Sequence, residues 1–133
     1  MPTICDTHIL LFWADAPQRL SGAARDALDQ GMAAGQLACC DISLWEIAML
    51  QARGRIHRPP DLSIAAYLDD IVLAMGLTVL PITPAIAEQA QHPDFLHGDP
   101  ADRLIAATAV IHKAPIITAD GKLQQVPGLR CIW

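Results

Sequence analysis

Basic residues are scarce in this sequence. Lysine and arginine together number 9 of 133 residues, against 14 acidic residues, which gives a formal net charge of −5 at pH 7. A protein that holds nucleic acid by bulk electrostatics is normally basic, so the charge balance disfavours a nucleic-acid coat or scaffold. It does not disfavour an enzyme that reaches a phosphodiester through divalent cations, because bound cations invert the local charge.

Several familiar sites and targeting signals are also missing. The four cysteines have no C-x-x-C spacing, which disfavours a structural zinc site and predicts reduced thiols in the core. No basic segment precedes the first apolar run, so we expect no signal peptide. The apolar stretch 64–86 is interrupted by aspartate, glycine and proline. We therefore expect no membrane span and a cytoplasmic location.

Apolar residues, by contrast, are abundant. They make up 53% of the chain and charged residues only 17%, a composition that excludes disorder. A chain of 133 residues can bury one core, so we predict a single domain over residues 1–133. So high an apolar share in a small chain also suggests that a partner, either a second copy or a bound peptide, covers part of the surface.

Short apolar strands alternate with helical segments along the chain. Helix-capping residues support this division: Ser21, Thr83 and Asp99 are placed to begin helices, as is either Asp41 or Ser43, and we expect a further helix to begin at Asp61. The alternation predicts an α/β fold with a short parallel sheet of about five strands and helices on both faces. The predicted strands are 3–5, 36–40, 77–82, 115–118 and 129–132.

Two aspartates directly follow predicted strands. Asp6 comes after the first strand and Asp120 after the fourth. Because ligands of open α/β sheets bind beyond the carboxyl ends of the strands, both carboxylates are predicted at one edge of the sheet. The alternative is that each only caps a helix or stabilises a turn, since aspartate is common there for that reason.

Glu46 lies on the apolar face of its predicted helix, four residues after Ile42 and three before Met49. A buried carboxylate without a partner costs several kcal/mol, so something must neutralise it. A cation held jointly with other acids would do so, and an ion pair with Arg53 or another basic residue is the alternative. The neighbouring Trp45 is predicted to be a core residue.

The segment Asp99-Pro100-Ala101-Asp102 opens an alanine-rich helix. Asp99 is predicted to be its N-cap, and Asp102, one turn further on, is available to face the sheet edge. Together with Asp6, Glu46 and Asp120 it would form a set of oxygen ligands suited to Mg²⁺ or Mn²⁺. The sequence has neither a glycine-rich phosphate loop nor a second aspartate two residues after Asp6.

Four pieces of the sequence together resemble the PIN domain, and more closely the VapC-type toxins of bacterial toxin–antitoxin pairs. They are CDTH at 5–8, SLWEI at 43–47, DPADRLIAATA at 99–109 and ITAD at 117–120. The pieces occur in the family's order and span nearly the whole chain. The resemblance implies a PIN-like parallel sheet with its first and fourth strands adjacent, and a Mg²⁺- or Mn²⁺-dependent endoribonuclease.

The resemblance also assigns roles to individual residues. The acids that match the family's metal ligands are Asp6, Glu46, Asp102 and Asp120, and Asp99 is either a further ligand or only a helix cap. Thr118 matches a hydroxyl that supports the last acid. Arg103 is either a contact to an RNA phosphate or an exposed first-turn arginine, and the basic stretch 53–58 either follows the RNA backbone or is simply solvated.

The partners that the resemblance implies are an RNA substrate, a VapB-like antitoxin and a second copy of the chain in a homodimer. Two alternatives remain open on the sequence: a PIN nuclease that processes RNA without an antitoxin, and a catalytically silent PIN-fold binding module. The complete set of acids disfavours the silent module.

Overall fold

The computed structural model describes residues 2–95 and 98–133. Within these ranges the chain forms one sheet of five strands, all parallel. The strands are β1 (Thr3–Cys5), β2 (Leu37–Cys40), β3 (Thr78–Leu80), β4 (Ile116–Ile117) and β5 (Cys131–Ile132). Their order in the sheet is β3-β2-β1-β4-β5. The predicted α/β class and short parallel sheet are confirmed, as is the adjacency of the first and fourth strands.

Helices connect the strands and cover both faces of the sheet. They are α1 (Thr7–Asp15), α2 (Gly22–Ala34), α3 (Ile42–Ala52), α4 (Ile64–Met75), α5 (Pro84–Gln89), α6 (Pro100–His112) and α7 (Gly121–Gln124). A short 3₁₀ turn, Pro17–Arg19, follows α1. In the described part of the chain no helix is long and apolar enough to cross a membrane.

The capping residues explain where the helices begin. Ser21 Oγ accepts a hydrogen bond from Ala24 N at 3.1 Å, and Thr83 Oγ1 accepts one from Ile86 N at 3.3 Å, so both predicted caps are confirmed. The predicted helix start at Asp61 is wrong. α4 begins three residues later because Ser63, in an extended conformation, supplies the side-chain cap.

Alternating side chains of each strand enter two separate cores. Cys5 of β1 and Cys39 of β2 face the core built with α1, α2 and α4. Ile4 and Cys40 face the core built with α5 and α6. The four cysteines form no disulfide, and burial raises the pKa of Cys39 to about 12. The predicted core position is confirmed for Cys5, Cys39 and Cys40, whereas Cys131 is half-buried, and the reduced state stays a prediction.

Gly31 marks the closest approach of α2 to the sheet. A Cβ placed there would lie 2.8 Å from Cγ of Leu37, which is fully buried in β2. Helix propensity alone favours alanine over glycine by about 1 kcal/mol, but overpacking a buried site costs about 1–3 kcal/mol. Glycine at this position therefore allows α2 to pack against β2.

We predict that Gly31→Ala lowers the free energy of unfolding by up to about 2 kcal/mol, because the packing cost exceeds the gain in helix propensity. Urea denaturation followed by circular dichroism measures the change. Gly22→Ala, at the start of the same helix with no atom within 4 Å of the added Cβ, is the matched control and should lose no stability. Equal stability of the two variants would contradict the packing argument.

Candidate metal centre

Asp6 extends β1 beyond its last residue and turns the chain into α1. Its backbone N–H donates to Ile117 O at 3.0 Å, which continues the pairing of β1 with β4. Its carboxylate is only 4% exposed and accepts from Thr7 N at 2.7 Å and from Thr118 Oγ1 at 2.8 Å. Asp6 therefore caps α1 and also lies at the sheet edge, so the two predicted roles are compatible.

Thr118 connects Asp6 to Asp120. Its hydroxyl is fully buried, donates to Asp6 Oδ2 and accepts from Asp120 N at 3.0 Å. Asp120 Oδ1 in turn accepts from Lys122 N at 2.8 Å and caps α7. One buried hydroxyl thus fixes the positions of two acids that are 114 residues apart in sequence.

Burial dominates the electrostatics of Asp6. Loss of water raises the pKa of its carboxyl above the ordinary value. The hydrogen bonds from Thr118 and Thr7 and the nearby His8 oppose the rise, whereas the charge of Asp120 adds to it. The direction of the pKa shift shows that the negative charge on Asp6 is not fully compensated by the groups around it.

Glu46, on α3, faces the same edge and is 6% exposed. Its Oε1 atom is buried and has no hydrogen-bond partner among residues 2–95 and 98–133. Across the same residues no basic nitrogen lies within 4.0 Å of its carboxylate, so the predicted alternative of an ion pair with Arg53 is not formed. Glu46 therefore carries a buried oxygen that forms no hydrogen bond within the described part of the chain.

Two buried hydroxyls lie beneath Glu46. Thr7 Oγ1 and Ser43 Oγ are hydrogen-bonded at 2.9 Å. Burial raises the pKa of Glu46, a hydrogen bond from Thr7 lowers it, and the charges of Asp99 and Asp6 raise it again. Sequence reasoning missed Thr7 and Ser43 as parts of the site, although both lie inside the pieces of sequence that resemble the PIN domain and carry the acids.

The first turn of α6 places Asp99 and Asp102 beside Glu46. One ligand atom from each of these three residues lies within 4.8 Å of the other two. Asp99 also caps α6, since its Oδ1 accepts from Ala101 N at 2.8 Å. The predicted cap is thus confirmed and Asp99 also lies in the acidic cluster, while its role as a metal ligand stays a prediction.

Asp102 joins the two halves of the site. It belongs to the cluster with Glu46 and Asp99, and it also lines a cavity of about 220 Å³ together with Asp6 and Asp120. Asp102 therefore links two groups of acids at the carboxyl edge of the sheet: Glu46 and Asp99 in the cluster, and Asp6 and Asp120 in the wall of the crevice.

The donor set fits a hard divalent cation. Every candidate ligand atom is a carboxylate oxygen, the type that Mg²⁺ and Mn²⁺ prefer. The unpartnered Oε1 of Glu46 and the raised pKa values of Glu46 and Asp6 indicate a site with excess negative charge that a cation would neutralise. The residues that would hold it are Asp6, Glu46, Asp99, Asp102 and Asp120.

Comparisons with known proteins show the family to which this chain belongs. A family model of the PIN domain matches residues 3–129. The chain belongs to the PIN-domain family. It is also similar to ribonuclease VapC22 of Mycobacterium tuberculosis, with 38% identity over 122 residues that cover 91% of this chain and 88% of that protein.

Solved structures with the same fold include two VapBC complexes. One is VapBC2 from Rickettsia felis bound to a DNA fragment from its promoter, with a TM-score of 0.70 and 16% identity, covering 98% of this chain and 97% of that one. The other is DNA-bound VapBC from Salmonella typhimurium, with a TM-score of 0.71 and 16% identity, covering 98% and 96%. At these identities the likeness establishes the PIN fold.

The surroundings of two side chains of this PIN domain, Arg103 and Trp45, were not predicted from the sequence. Arg103 donates from Nε to Ala90 O at 2.8 Å and from Nη1 to Phe95 O at 2.6 Å, so it anchors the segment before α6, and its phosphate contact stays a prediction. The prediction that Trp45 is a core residue is wrong, because its side chain is 59% exposed. Adjacent residues of a helix point in different directions, so the Trp45 side chain points towards solvent because that of Glu46 points inwards.

We predict that Glu46→Gln raises the melting temperature of the metal-free protein by a few degrees at neutral pH. The folded carboxyl has a raised pKa, so its ionisation destabilises the fold at neutral pH; this penalty disappears as the pH falls through the raised pKa towards the ordinary value of 4.5. Differential scanning calorimetry in EDTA should show the gap between variant and wild type closing on acidification.

The control for this experiment is Glu88→Gln, which changes the other glutamate of the chain, exposed on α5. It should leave the melting temperature unchanged at every pH. Added Mn²⁺ should then stabilise the wild type more than Glu46→Gln, because the variant lacks one ligand. A wild-type melting temperature for Glu46→Gln at neutral pH would contradict the proposed charge crowding.

Substitution can separate the two roles of Asp99, as a helix cap and as a metal ligand. Asp99→Ser keeps a good N-cap, so it should be about 1 kcal/mol more stable than Asp99→Ala. Both variants lose the carboxylate and should bind Mn²⁺ equally weakly in a calorimetric titration. Wild-type Mn²⁺ affinity in Asp99→Ser would show that the residue acts as a cap alone.

Proposed function

We propose that this chain is a Mg²⁺- or Mn²⁺-dependent endoribonuclease and the toxin of a VapBC-type toxin–antitoxin pair. The observation that carries the proposal is the placement of acids from the end of β1, α3, the first turn of α6 and the end of β4 at one edge of the sheet, with Asp102 shared by the acidic cluster and the crevice and with Oε1 of Glu46 lacking a partner among the described residues. Membership of the PIN family and the similarity to ribonuclease VapC22 support it.

In this proposal the ligands are Asp6, Glu46, Asp102 and Asp120, with Asp99 as a fifth acid. Divalent ions bound there would lower the pKa of a water molecule and offset negative charge on the phosphodiester oxygens. The chain's own residues keep ligands in place: Thr118 holds Asp6 and the backbone of Asp120, and the hydroxyl of Thr7, which is bonded to Ser43, lies close enough to Glu46 to lower its pKa. Because these hydroxyls are buried, the ligands need little rearrangement when a cation binds.

A second cavity supports the antitoxin part of the proposal. It encloses about 580 Å³ between α1 and the basic stretch, with apolar walls that include Leu11, Leu50 and Ile56. His8 and Phe12 line both this cavity and the acidic crevice. An apolar peptide segment seated here would therefore end beside the carboxylates, where a basic residue could pair with Asp6 or Asp120 and exclude metal.

The ribonuclease proposal predicts the effect of each ligand substitution. Asp6→Asn, Glu46→Gln, Asp102→Asn and Asp120→Asn should each reduce cleavage of single-stranded RNA by more than the about 10- to 100-fold that loss of a ligand's outer partner costs. Glu88→Gln should cleave like the wild type, and folding of every variant is checked by circular dichroism. Cleavage by Glu46→Gln at the wild-type rate in Mg²⁺ or Mn²⁺ would refute the site.

The toxin proposal has its own test in cells. Expression of the wild type in its own host should arrest growth, and coexpression of the small reading frame next to it should restore growth, because the antitoxin blocks the crevice. Asp120→Asn, expressed at the same level, should be harmless. Harmless expression of intact wild type that still cleaves RNA in vitro would favour a nuclease for RNA processing.

A further inference from the structure

Arg103 connects the end of α5, the segment that follows it and the first turn of α6. Its Nε donates to Ala90 O at 2.8 Å, and its Nη1 donates to Phe95 O at 2.6 Å. Its backbone N–H donates to Asp99 O at 3.1 Å. One half-buried residue of α6 therefore contacts both the segment that precedes the helix and the residue that caps it.

The segment 90–95 gives Arg103 a fixed support. Ala90 ends α5, and both Ala90 and Phe95 are buried in the core that α5 and α6 share. Carbonyl groups at the end of a helix have no partner within that helix. A guanidinium can satisfy two such acceptors at once, because its N–H groups are held in a rigid plane and its charge strengthens each hydrogen bond.

Asp99 depends on this support more than the other acids of the cluster do. Glu46 is buried, and Asp102 lies within α6, whose place is set by the fully buried Ile105 and Ala106. Asp99 is exposed and precedes the helix, with its backbone in an extended conformation. Its position beside Glu46 is therefore decided by the path of the chain into α6 rather than by burial.

We propose that Arg103 is a positioning residue of the metal centre: it anchors the segment before α6 and so keeps Asp99 within reach of a cation bound by Glu46 and Asp102. This inference rests on the proposed function, of which that metal centre is a part. Loss of a partner that orients a metal ligand typically weakens metal binding about 10- to 100-fold. Because Arg103 acts through the backbone, we expect a loss of about 10-fold.

The charge of Arg103 and its hydrogen bonds act on cation binding in opposite directions. A positive charge on the helix that carries Asp99 and Asp102 repels a cation, so removing the charge alone should strengthen Mn²⁺ binding. Removing the hydrogen bonds should weaken Mn²⁺ binding, because Asp99 is then no longer held in place. The sign of the change therefore separates a positioning role from a simple electrostatic one.

The test measures Mn²⁺ affinity of the RNA-free protein by calorimetric titration for Arg103→Ala, Arg103→Lys and the control Arg25→Ala. Lysine keeps the charge but lacks the planar guanidinium, so both Arg103 variants should bind Mn²⁺ about 10-fold more weakly. Arg25 Nη2 donates to Pro17 O at 2.7 Å from α2, a helix that carries no acid of the site. Arg25→Ala loses the same kind of contact and should bind Mn²⁺ like the wild type.

A double-mutant cycle with Asp99→Asn identifies the acid through which Arg103 acts. Asparagine is as good an N-cap as aspartate but offers the cation only a neutral oxygen, so Asp99→Asn should itself weaken Mn²⁺ binding. In that background Arg103→Ala should cause no further loss. Losses that add in the double variant would show that Arg103 and Asp99 act independently, and would overturn the proposal.

A second measurement needs no metal. The Ala101 amide donates to Asp99 Oδ1 at 2.8 Å, so loosening of Asp99 should speed hydrogen exchange at Ala101 in both Arg103 variants, as measured by NMR. The Ala24 amide, which Ser21 caps on α2, is the internal control and should exchange as in the wild type. Wild-type exchange at Ala101 together with wild-type Mn²⁺ affinity would overturn the proposal.

Two further outcomes would give Arg103 a different role. A raised KM for RNA with wild-type Mn²⁺ affinity would assign Arg103 to a phosphate contact and overturn the proposal. Tighter Mn²⁺ binding by Arg103→Ala, with Arg103→Lys unchanged, would leave only an electrostatic effect and overturn it equally. A wild type that binds Mn²⁺ but cleaves no RNA would instead refute the proposed function, and the titrations would still decide the positioning role.

Discussion

Two carboxylates, those of Asp6 and Glu46, lie almost out of contact with water at one edge of a small parallel sheet. Removing a charged carboxylate from water costs several kcal/mol after relaxation, and each of the two is close to further acids that raise its pKa. Hydrogen bonds from threonine offset part of this cost. The part of the desolvation cost that remains would be offset by a positive charge bound at this edge of the sheet.

The neighbouring strands and helices place the acids together at this edge of the sheet. β1 lies between β2 and β4, so the residue after β1 and the segment after β4 emerge side by side, and the parallel direction of all strands keeps both at the same edge. α3 and α6 then bring their acids from the flanking helix layer. The hydroxyls of Thr118 and Thr7 are buried and take the place of water next to the acids. The acids are therefore kept in position before any cation binds.

The acidic crevice lies between two cavities of different character. On one side, α1 and the basic stretch enclose an apolar space that reaches His8 and Phe12 at the crevice. On the other, Trp45 stands open to solvent between Glu46 and Arg53. Acids of the site therefore line more than one cavity of the described structure.

Much of the fold could be predicted from local sequence because its determinants are local. Ser21, Thr83 and Asp99 begin helices through hydrogen bonds that span two or three residues, and short apolar runs form the buried strands. Local signals also misled at two places. Asp61 is a good helix-capping residue type, yet Ser63 provides the cap of α4, and the short helix α7 after Asp120 was not predicted at all.

The same distinction between local sequence signals and long-range contacts applies to the candidate site. The sequence by itself determined which residue types were available, since acids after strands and on an apolar helix face can be read from position and periodicity. Only the tertiary structure decided that Asp99 both caps α6 and joins Glu46, that Thr7 and Ser43 support the site, and that Trp45 faces solvent. Those outcomes depend on how α3 and α6 pack against the sheet, which is set by contacts between residues far apart in the chain.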